Sequence, residues 1–352
     1  MLWPRGRRAG IIWGMRRLGI VTFVLLLVLF GGYSAVWFVV ADRIAEGVRR
    51  WADQALARNL DLSWQSLRVA GYPLAYQIEL GEARLRDTTS GRALELRTPV
   101  VSASARPWNF RLWEVSAPAG LAAIAGPADA PVATLTARAA EGQVTLTAER
   151  RTDVRLGLED PALVAGGRLA AREATLALSV PEEPPRTHRE PAFSLALDLR
   201  DVDLPAVPAP LRDRVDEIAL DLRVMGAIPD APPRRAAEAW RDAGGTIELD
   251  GLAVRWGELG FTGSGTVALD SDMQPEVAFS GSVQGYNELM AAFGEAGLLR
   301  AGDARLARLA LSILAKPGPN GKPQIATSFA IQNGEMFLGP AKLGKAPHIA
   351  WR

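Results

Sequence analysis

From Leu60 onward, apolar residues recur at every second position along most of the chain. This two-residue period puts one apolar and one polar face on each extended segment, as β-strands do. Gly, Pro and Asp interrupt the pattern about every 10–14 residues, a spacing typical of antiparallel strands joined by turns. The sequence therefore predicts a mainly β (α+β) fold. We expect long, antiparallel, curved β-meander sheets decorated by short helices, behind an N-terminal transmembrane helix.

The stretch "GTIELDGLAVRWGELGFTGSGTVALD", residues 245–270, shows the pattern most clearly. Its apolar phase changes twice, and Gly and Asp residues stand where it changes, which predicts turns or bulges between strands. The apolar faces could close a core, or they could line a groove that carries an apolar ligand. The candidate groove residues are Val254, Trp256, Phe261, Val267, Leu269, Val277 and Phe279.

The N-terminus carries the strongest localisation signal. Residues 18–41 contain no charged side chain, and about 20 apolar residues suffice for a helix to cross a bilayer. Five arginines and no acid precede this run, which predicts a cytoplasmic N-terminus. A cleaved signal peptide is the alternative, but its apolar region would be shorter. We expect a single-pass protein of the bacterial inner membrane, with aromatic residues 33, 37 and 38 toward the outer interface and the main body in the periplasm.

The predicted organisation follows from shifts in these patterns. After the span, the sequence predicts an amphipathic helix that leads onto the folded body and ends near Asn59. Its apolar packing face is formed by Ile44, Val48, Trp51, Ala55 and Leu56. Further helices are predicted at 233–243, 287–297 and 303–316. Translation could begin at Met1 or Met15. The predicted segments are a cytoplasmic basic segment (1–17), a transmembrane helix (18–41), an amphipathic helix (42–59), a first β-rich half (60–180), a Pro-rich loop (181–191) and a second β-rich half with C-terminal helices (192–352).

Chemistry-bearing motifs are sparse. The chain has no cysteine, so disulfides and thiolate chemistry are excluded. His188 and His348 lack partners at metal-ligand spacing, and Ser264 between two glycines is better explained by a tight turn than by a nucleophile. Glu182 and Glu183 form an acid pair within the Pro-rich loop, where a fixed catalytic distance is hard to hold. We therefore expect no catalytic, cofactor-binding or metal site, and no enzyme.

Two short stretches, "SLRVAGYPLAYQIEL" and "QNGEMFLGPAKLGKAP", carry a family resemblance together with the anchor. The chain resembles an uncharacterised proteobacterial membrane-anchored family, domain of unknown function 2125. The resemblance implies an envelope protein and supplies no catalytic residue. Its recognisable positions are Gly71, Tyr72, Pro73, Leu74, Asn333, Gly334, Gly339 and Pro340.

A looser resemblance concerns layout. Residues 245–296 are similar to the C-terminal part of AsmA-like envelope proteins, with Trp256-Gly257 and Gly263-Ser264-Gly265 at comparable places. This resemblance implies a long curved sheet with an apolar concave face, linked to lipid transport.

Three functions remain open from the sequence. The first is binding of phospholipid or another apolar ligand for envelope maintenance, and the second is a structural or adaptor role toward envelope proteins. The third is a hydrolase whose site the sequence does not reveal. Beyond residue 17 the chain holds 35 basic and 39 acidic side chains, a balance that argues against nucleic acid as a partner.

Overall fold

The computed structural model describes residues 9–57, 59–87, 94–127, 130–204, 213–295, 297, 302, 309, 311–313, 315–318 and 321–349. The helices are α1 (Ala9–Leu56), α2 (Pro233–Asp242) and α3 (Tyr286–Glu295). Helices α2 and α3 confirm two predicted helical segments. The helix predicted over 303–316 lies mostly outside the described residues, although residues 311–313 are helical.

The rest of the described chain is mainly strand. In the first half the strands are β1 (Leu60–Ser63), β2 (Ser66–Ala70), β3 (Tyr76–Asp87), β4 (Leu94–Arg106), β5 (Asn109–Ala117), β6 (Leu121–Ala125), β7 (Ala133–Ala137), β8 (Ala139–Leu146), β9 (Arg151–Glu159), β10 (Ala162–Val164), β11 (Arg168–Ala170) and β12 (Glu173–Pro181). In the second half they are β13 (Pro191–Asp203), β14 (Arg214–Met225), β15 (Thr246–Trp256), β16 (Leu259–Leu269), β17 (Pro275–Gln284), β18 (Lys316–Pro317), β19 (Pro323–Gln332), β20 (Glu335–Leu338) and β21 (Ala341–Lys345).

These strands form one large curved antiparallel sheet, which confirms the predicted fold class. Strands β1 and β2 both pair with β3, and β3 pairs with β4. Strand β4 then opens two routes to β13, one through β5, β8, β9 and β12 and the other through β6, β7, β10 and β11. From β13 the order continues through β14, β15, β16, β17, β19, β20 and β21. The segment 182–190 joins β12 to β13, and the sheet is continuous past it.

A line of irregular backbone crosses the sheet between the two routes. Glu82, Asp160 and Asp201 have positive φ values of 50°, 48° and 50°, and Gly120 has 89°. Short acids tolerate this left-handed region better than most side chains, whereas Glu82 is an uncommon occupant. Arg138 pairs with Asp160 at 2.8 Å across this line. A single residue in this conformation shifts the alternation of side chains, so Leu199 and Val202, on either side of Asp201, line the same face of the sheet.

Helix α1 is continuous from the apolar run onto the folded body. Its 48 residues correspond to about 72 Å. The amphipathic helix predicted at 42–59 is the C-terminal part of α1, which runs unbroken through residue 41 and ends at Leu56. Its predicted packing face is wrong in part: Ile44 and Ala55 face the body, whereas Trp51 and Leu56 are exposed. The amide of Asn59 donates to the Leu56 carbonyl at 3.0 Å and ends this region, as predicted.

Gly71 permits a positive φ and Pro73 disfavours helix at Tyr72, which predicts a strand-to-strand corner. The turn Gly71–Ala75 joins β2 to β3 and confirms it. Gly71 has φ +97°, and a Cβ there would lie 2.7 Å from the Ala75 carbonyl oxygen. The turn packs on α1, where Trp37 donates its indole N–H to the Ala75 carbonyl at 3.2 Å. Trp37 also stacks on Tyr76 with ring centroids 5.0 Å apart, and both side chains are 3% exposed. This cluster fixes the sheet to the helix.

Candidate functional site

The candidate site is one face of the sheet, which we call the apolar face. Strand register places apolar side chains directly opposite one another over many strands. One such row is Leu156, Leu176, Leu197, Leu220 and Leu252. The row one position along the strands is Arg155, Ala177, Ala196, Asp221 and Gly251, which belongs to the opposite, polar face. The alternation of the sequence is thus expressed as a two-sided sheet.

Most side chains of the apolar face are half-buried. All five leucines of the row just named are intermediate in exposure, although Leu is among the residues most often buried in protein cores. Within the described residues, α2 and α3 are too short to cover a face this wide, so its shelter comes from the curvature of the sheet itself. A face of this kind must be covered by another layer, by lipid or by a ligand.

The structure places all seven predicted groove residues on the apolar face. A β-bulge at Asp250–Gly251 of β15 causes the change of phase in the sequence, and it returns Val254 to the face that holds Leu249. Phe261 then lies opposite Val254, and Val277 opposite Val267. All seven side chains are intermediate in exposure. Whether they hold a ligand is not tested by this placement and stays a prediction.

The "GSG" stretch has a structural explanation different from the predicted one. Ser264 lies inside β16 opposite Ser280, so the tight turn expected there is wrong. Phe261 and Phe279 stack with ring centroids 5.7 Å apart. A Cβ on Gly263 would overlap the Phe279 ring and lie 2.8 Å from the Ser280 carbonyl oxygen. The missing side chain therefore leaves room for two phenyl rings to lie along the apolar face.

An apolar cavity of about 370 Å³ lies on this face near the line of irregular backbone. Its size falls within the range of small-molecule sites, about 300–1,000 Å³. All of its lining residues are apolar: Leu135, Leu156, Leu158, Pro161, Leu163, Leu169, Ala170, Ala171, Ala174, Leu176, Leu197, Leu199 and Val202. None of the seven predicted groove residues lines it. A row of paired residues connects them to the cavity: Leu199, which lines the cavity, lies opposite Ile218, and Ile218 lies opposite Val254.

Sequence reasoning missed this cavity because it did not identify β9 and β14 as strands. The signal was present as alternation in "RTDVRLGLE" and "RVDEIALDLRVM". Together with the leucines of "ATLALSV" and "SLALDLR", these segments supply adjacent strands with leucine on one face. A search for neighbouring strands with matching leucine spacing would have found the site.

The polar face carries ion pairs instead of an organised site. A second cavity, of about 590 Å³, includes Arg223 and Asp250 in its lining. The Arg223 guanidinium contacts both Asp250 oxygens at 2.5 and 2.6 Å, and this hydrogen bonding lowers the pKa of the Asp250 carboxyl. An acid held ionised by a bidentate arginine is an acceptor and not a proton donor. This cavity therefore offers a charged, wet surface.

The other chemical candidates of the sequence lie apart from the apolar cavity. Arg150 binds Glu182 at 2.9 Å and Glu183 at 3.1 Å, so this acid pair forms an exposed ion-pair cluster. His188 and His348 are both exposed. Among the residues that the structure describes, no group of three or more His, Asp or Glu side chains is placed to hold a metal ion.

The family-like positions form turns at the two ends of the strand order. Tyr72 and Leu74 belong to the turn on α1. Asn333 and Gly334, with φ values of 51° and 71°, form the two-residue β19–β20 turn, a conformation that Asn-Gly favours. Gly339 and Pro340 join β20 to β21, and the Gly339 amide donates to the Ser328 carbonyl at 2.7 Å. These residues are explained by backbone shape and do not form a common site.

Among the described residues, Glu95 is the one buried charged side chain, and its contribution to stability should depend on pH. Hydrogen bonds from Arg97 lower its pKa from 4.5 to about 2, with Arg86 contributing at 3.3 Å. Because the folded-state pKa lies below the unfolded one, this stabilisation is complete above about pH 5 and is lost as pH falls toward 2. Half-exposed arginine partners weaken the pair, so we expect a contribution of about 1–3 kcal/mol.

The measurement is unfolding of the detergent-solubilised chain at several pH values, beside Glu95→Gln. The difference in stability between the two proteins should be largest at pH 7 and should vanish near pH 2. An unchanged difference across this range would show that Glu95 does not titrate as its arginine contacts require.

Comparison with known proteins identifies one family. The model of a family described as "Uncharacterized protein conserved in bacteria (DUF2125)" matches residues 37–347. No curated protein and no solved structure shows significant similarity to the chain. The resemblance of layout to AsmA-like proteins therefore stays a prediction.

Proposed function

Because this chain belongs to the uncharacterised bacterial family DUF2125, whose description assigns no activity, we propose its function from the apolar face itself. The protein is a membrane-anchored, non-catalytic binding protein for lipid or another ligand with an acyl chain, and it serves maintenance of the cell envelope. The observation that carries the proposal is the 370 Å³ cavity, lined only by apolar side chains, on a face that remains half-exposed.

The energetics favour an extended apolar ligand. Each methylene group moved from water into such a cavity contributes about 0.8 kcal/mol. Eight methylenes would then supply about 6 kcal/mol before the costs of association are subtracted. A ligand that lies along the face also removes leucine side chains from water. Without a ligand, the contact of these side chains with water makes the folded state less stable.

The lining of the cavity favours recognition of a ligand's acyl chain over recognition of its headgroup. Its lining offers no charged side chain and no side-chain hydroxyl or amide. Polar groups fix the orientation and identity of a ligand in most binding sites. A ligand here would place its acyl chain in the cavity and leave its polar end at the rim. We therefore propose selectivity for chain length over headgroup chemistry.

Helix α1 supplies the anchor. It contains one segment, Thr22–Leu56, long and apolar enough to span a membrane, with a mean hydropathy of 2.4 in its most apolar window. Only 6% of that window is buried, whereas a core helix of a soluble protein would be mostly buried. The arginines before it favour a cytoplasmic N-terminus. This orientation would place α1 in the inner membrane and the sheet in the periplasm.

Topology can be tested with reporters fused after Arg352. Alkaline phosphatase, which is active only outside the cytoplasm, should be active there, and a cytoplasmic reporter should be silent. The opposite pair of results would place the sheet in the cytoplasm.

Ligand binding can be tested on the full-length protein, purified in detergent and released in a native mass spectrometer. Retained phospholipid at fixed stoichiometry after extensive detergent exchange would support the proposal. A protein that carries no lipid under these conditions would favour the structural or adaptor role.

A further inference from the structure

Two neighbouring turns form one tip of the sheet, which we call the membrane-side tip. They are the turn Gly71–Ala75 and the turn that joins β4 to β5 at Arg106–Asn109. They lie side by side because Tyr76 of β3 pairs with Ala105 of β4. The tip exposes large apolar and aromatic side chains: Leu74 at 66%, Trp108 at 66%, Phe110 at 41% and Tyr72 at 37%.

Contacts with α1 fix the position of this tip along the helix. The Tyr33 hydroxyl donates to the Pro73 carbonyl, and the Ser34 hydroxyl lies 2.6 Å from that of Tyr72. Both helix residues belong to the charge-free run 18–41. The tip therefore lies beside the uncharged part of α1, whose composition suits a membrane, and not beside the charged part that begins at Asp42.

The lengths of the helix and of the returning strands place the tip at the same level along α1. From Tyr33 to Leu56 the helix rises about 35 Å, at 1.5 Å per residue. The chain then returns along β1 and β2, where the 10 steps from Leu60 to Ala70 cover about 33 Å. Strand and helix rises nearly cancel, so Pro73 comes back level with Tyr33.

We propose that the membrane-side tip contacts the lipid of the bilayer that α1 crosses, at the boundary between headgroups and acyl chains. The proposal rests on the membrane anchoring of the proposed function, but not on its ligand. Trp and Tyr rings favour this boundary because they have an apolar body and a polar edge. Exposed Arg106 and Arg111 flank the aromatic side chains, and their guanidinium groups suit lipid phosphates while their stems stay in apolar surroundings.

The contact would bring the bilayer to one end of the apolar face. Phe110 at the tip lies 6.3 Å from Trp113, measured between ring centroids. Trp113 pairs with Val144, and Val144 pairs with Val154, in a row of the apolar face next to the one that enters the cavity. Apolar side chains therefore continue from the tip to the interior of the sheet.

The absence of cysteine makes a direct test possible, because each introduced thiol is the single labelling site. The variants are Leu74→Cys and Trp108→Cys at the tip, Val28→Cys within the apolar run, and Val132→Cys as a matched control. Val132 is 74% exposed, and its amide bonds to Ala125, which pairs with the far end of β4. Strand β4 separates that end from the tip by about 40 Å.

Each full-length variant is labelled with an environment-sensitive fluorophore and reconstituted into vesicles of phosphatidylcholine and phosphatidylglycerol, with and without doxyl-labelled lipid. Melting curves that match the unlabelled protein verify folding. We expect doxyl lipid to quench labels at Leu74 and Trp108 nearly as strongly as at Val28, and to leave Val132 unquenched. Quenching at Val28 alone would overturn the tip contact while anchoring stands. No quenching at Val28 would remove the anchoring and the tip contact together.

Discussion

Replacing Leu197 by Asp should remove bound lipid and leave the protein folded. Leu197 lines the apolar cavity between Leu176 and Leu220, and its half-buried position lets a carboxylate stay hydrated when no ligand is present. An acyl chain in the cavity would strip that hydration at a cost of several kcal/mol. Since 1.4 kcal/mol corresponds to a tenfold change in affinity, retention should fall by at least about tenfold.

The matched control is Ala196→Asp, one residue earlier in the same strand. Ala196 belongs to the polar face, opposite Ala177 and Asp221. The control adds the same charge to β13 without approaching the apolar cavity, so it should keep the lipid content of the parent. Lipid content and melting temperature are measured together for all three proteins. Unfolding of Leu197→Asp, with Ala196→Asp intact, would show that this region is a closed core.

Replacing Trp37 by Ala should cause the largest loss of stability of any single change considered. Trp37 is 3% exposed, stacks on Tyr76 and donates to the Ala75 carbonyl. Truncating a buried tryptophan typically costs about 3–5 kcal/mol, because apolar burial is lost and a cavity remains. The loss falls on the contact between helix and sheet, so the turn Gly71–Ala75 should also become sensitive to protease.

Val36→Ala provides the control for this change. Val36 neighbours Trp37 on α1 but is 61% exposed and faces away from the sheet. Its truncation should leave both the melting temperature in detergent and the protease pattern unchanged. Equal effects of the two substitutions would indicate that α1 tethers the sheet without packing against it.

Much of the fold could be predicted because local pattern and tertiary structure agree. Alternation predicts β15 and β16, and Gly71 with Pro73 predicts the corner before β3. The helix α2 was visible from its composition. These features depend on residues close in sequence, which is where period and turn chemistry are informative.

The remaining features depend on partners that are distant in sequence. Ser264 between glycines resembles a turn until Phe279, from another strand, is seen to occupy the space above Gly263. On α1, Ile44 packs against the cluster that Trp37 forms with Tyr76 of β3, whereas Trp51 stays exposed, and helical spacing alone does not distinguish the two. The apolar cavity needed the pairing of β9, β12 and β13, and pairing across the sheet is not contained in any one segment.

The central claim is that lipid lies against the apolar face and not against the polar one. Photocrosslinking in living bacteria tests it directly, with a benzophenone amino acid introduced at Leu176 or at Ala177. These neighbours in β12 point to the apolar and the polar face, respectively. In cells whose acyl chains are labelled with radioactive acetate, we expect labelled adducts at position 176 and none at 177. Absence of adducts at 176, or equal labelling at both positions, would contradict the claim.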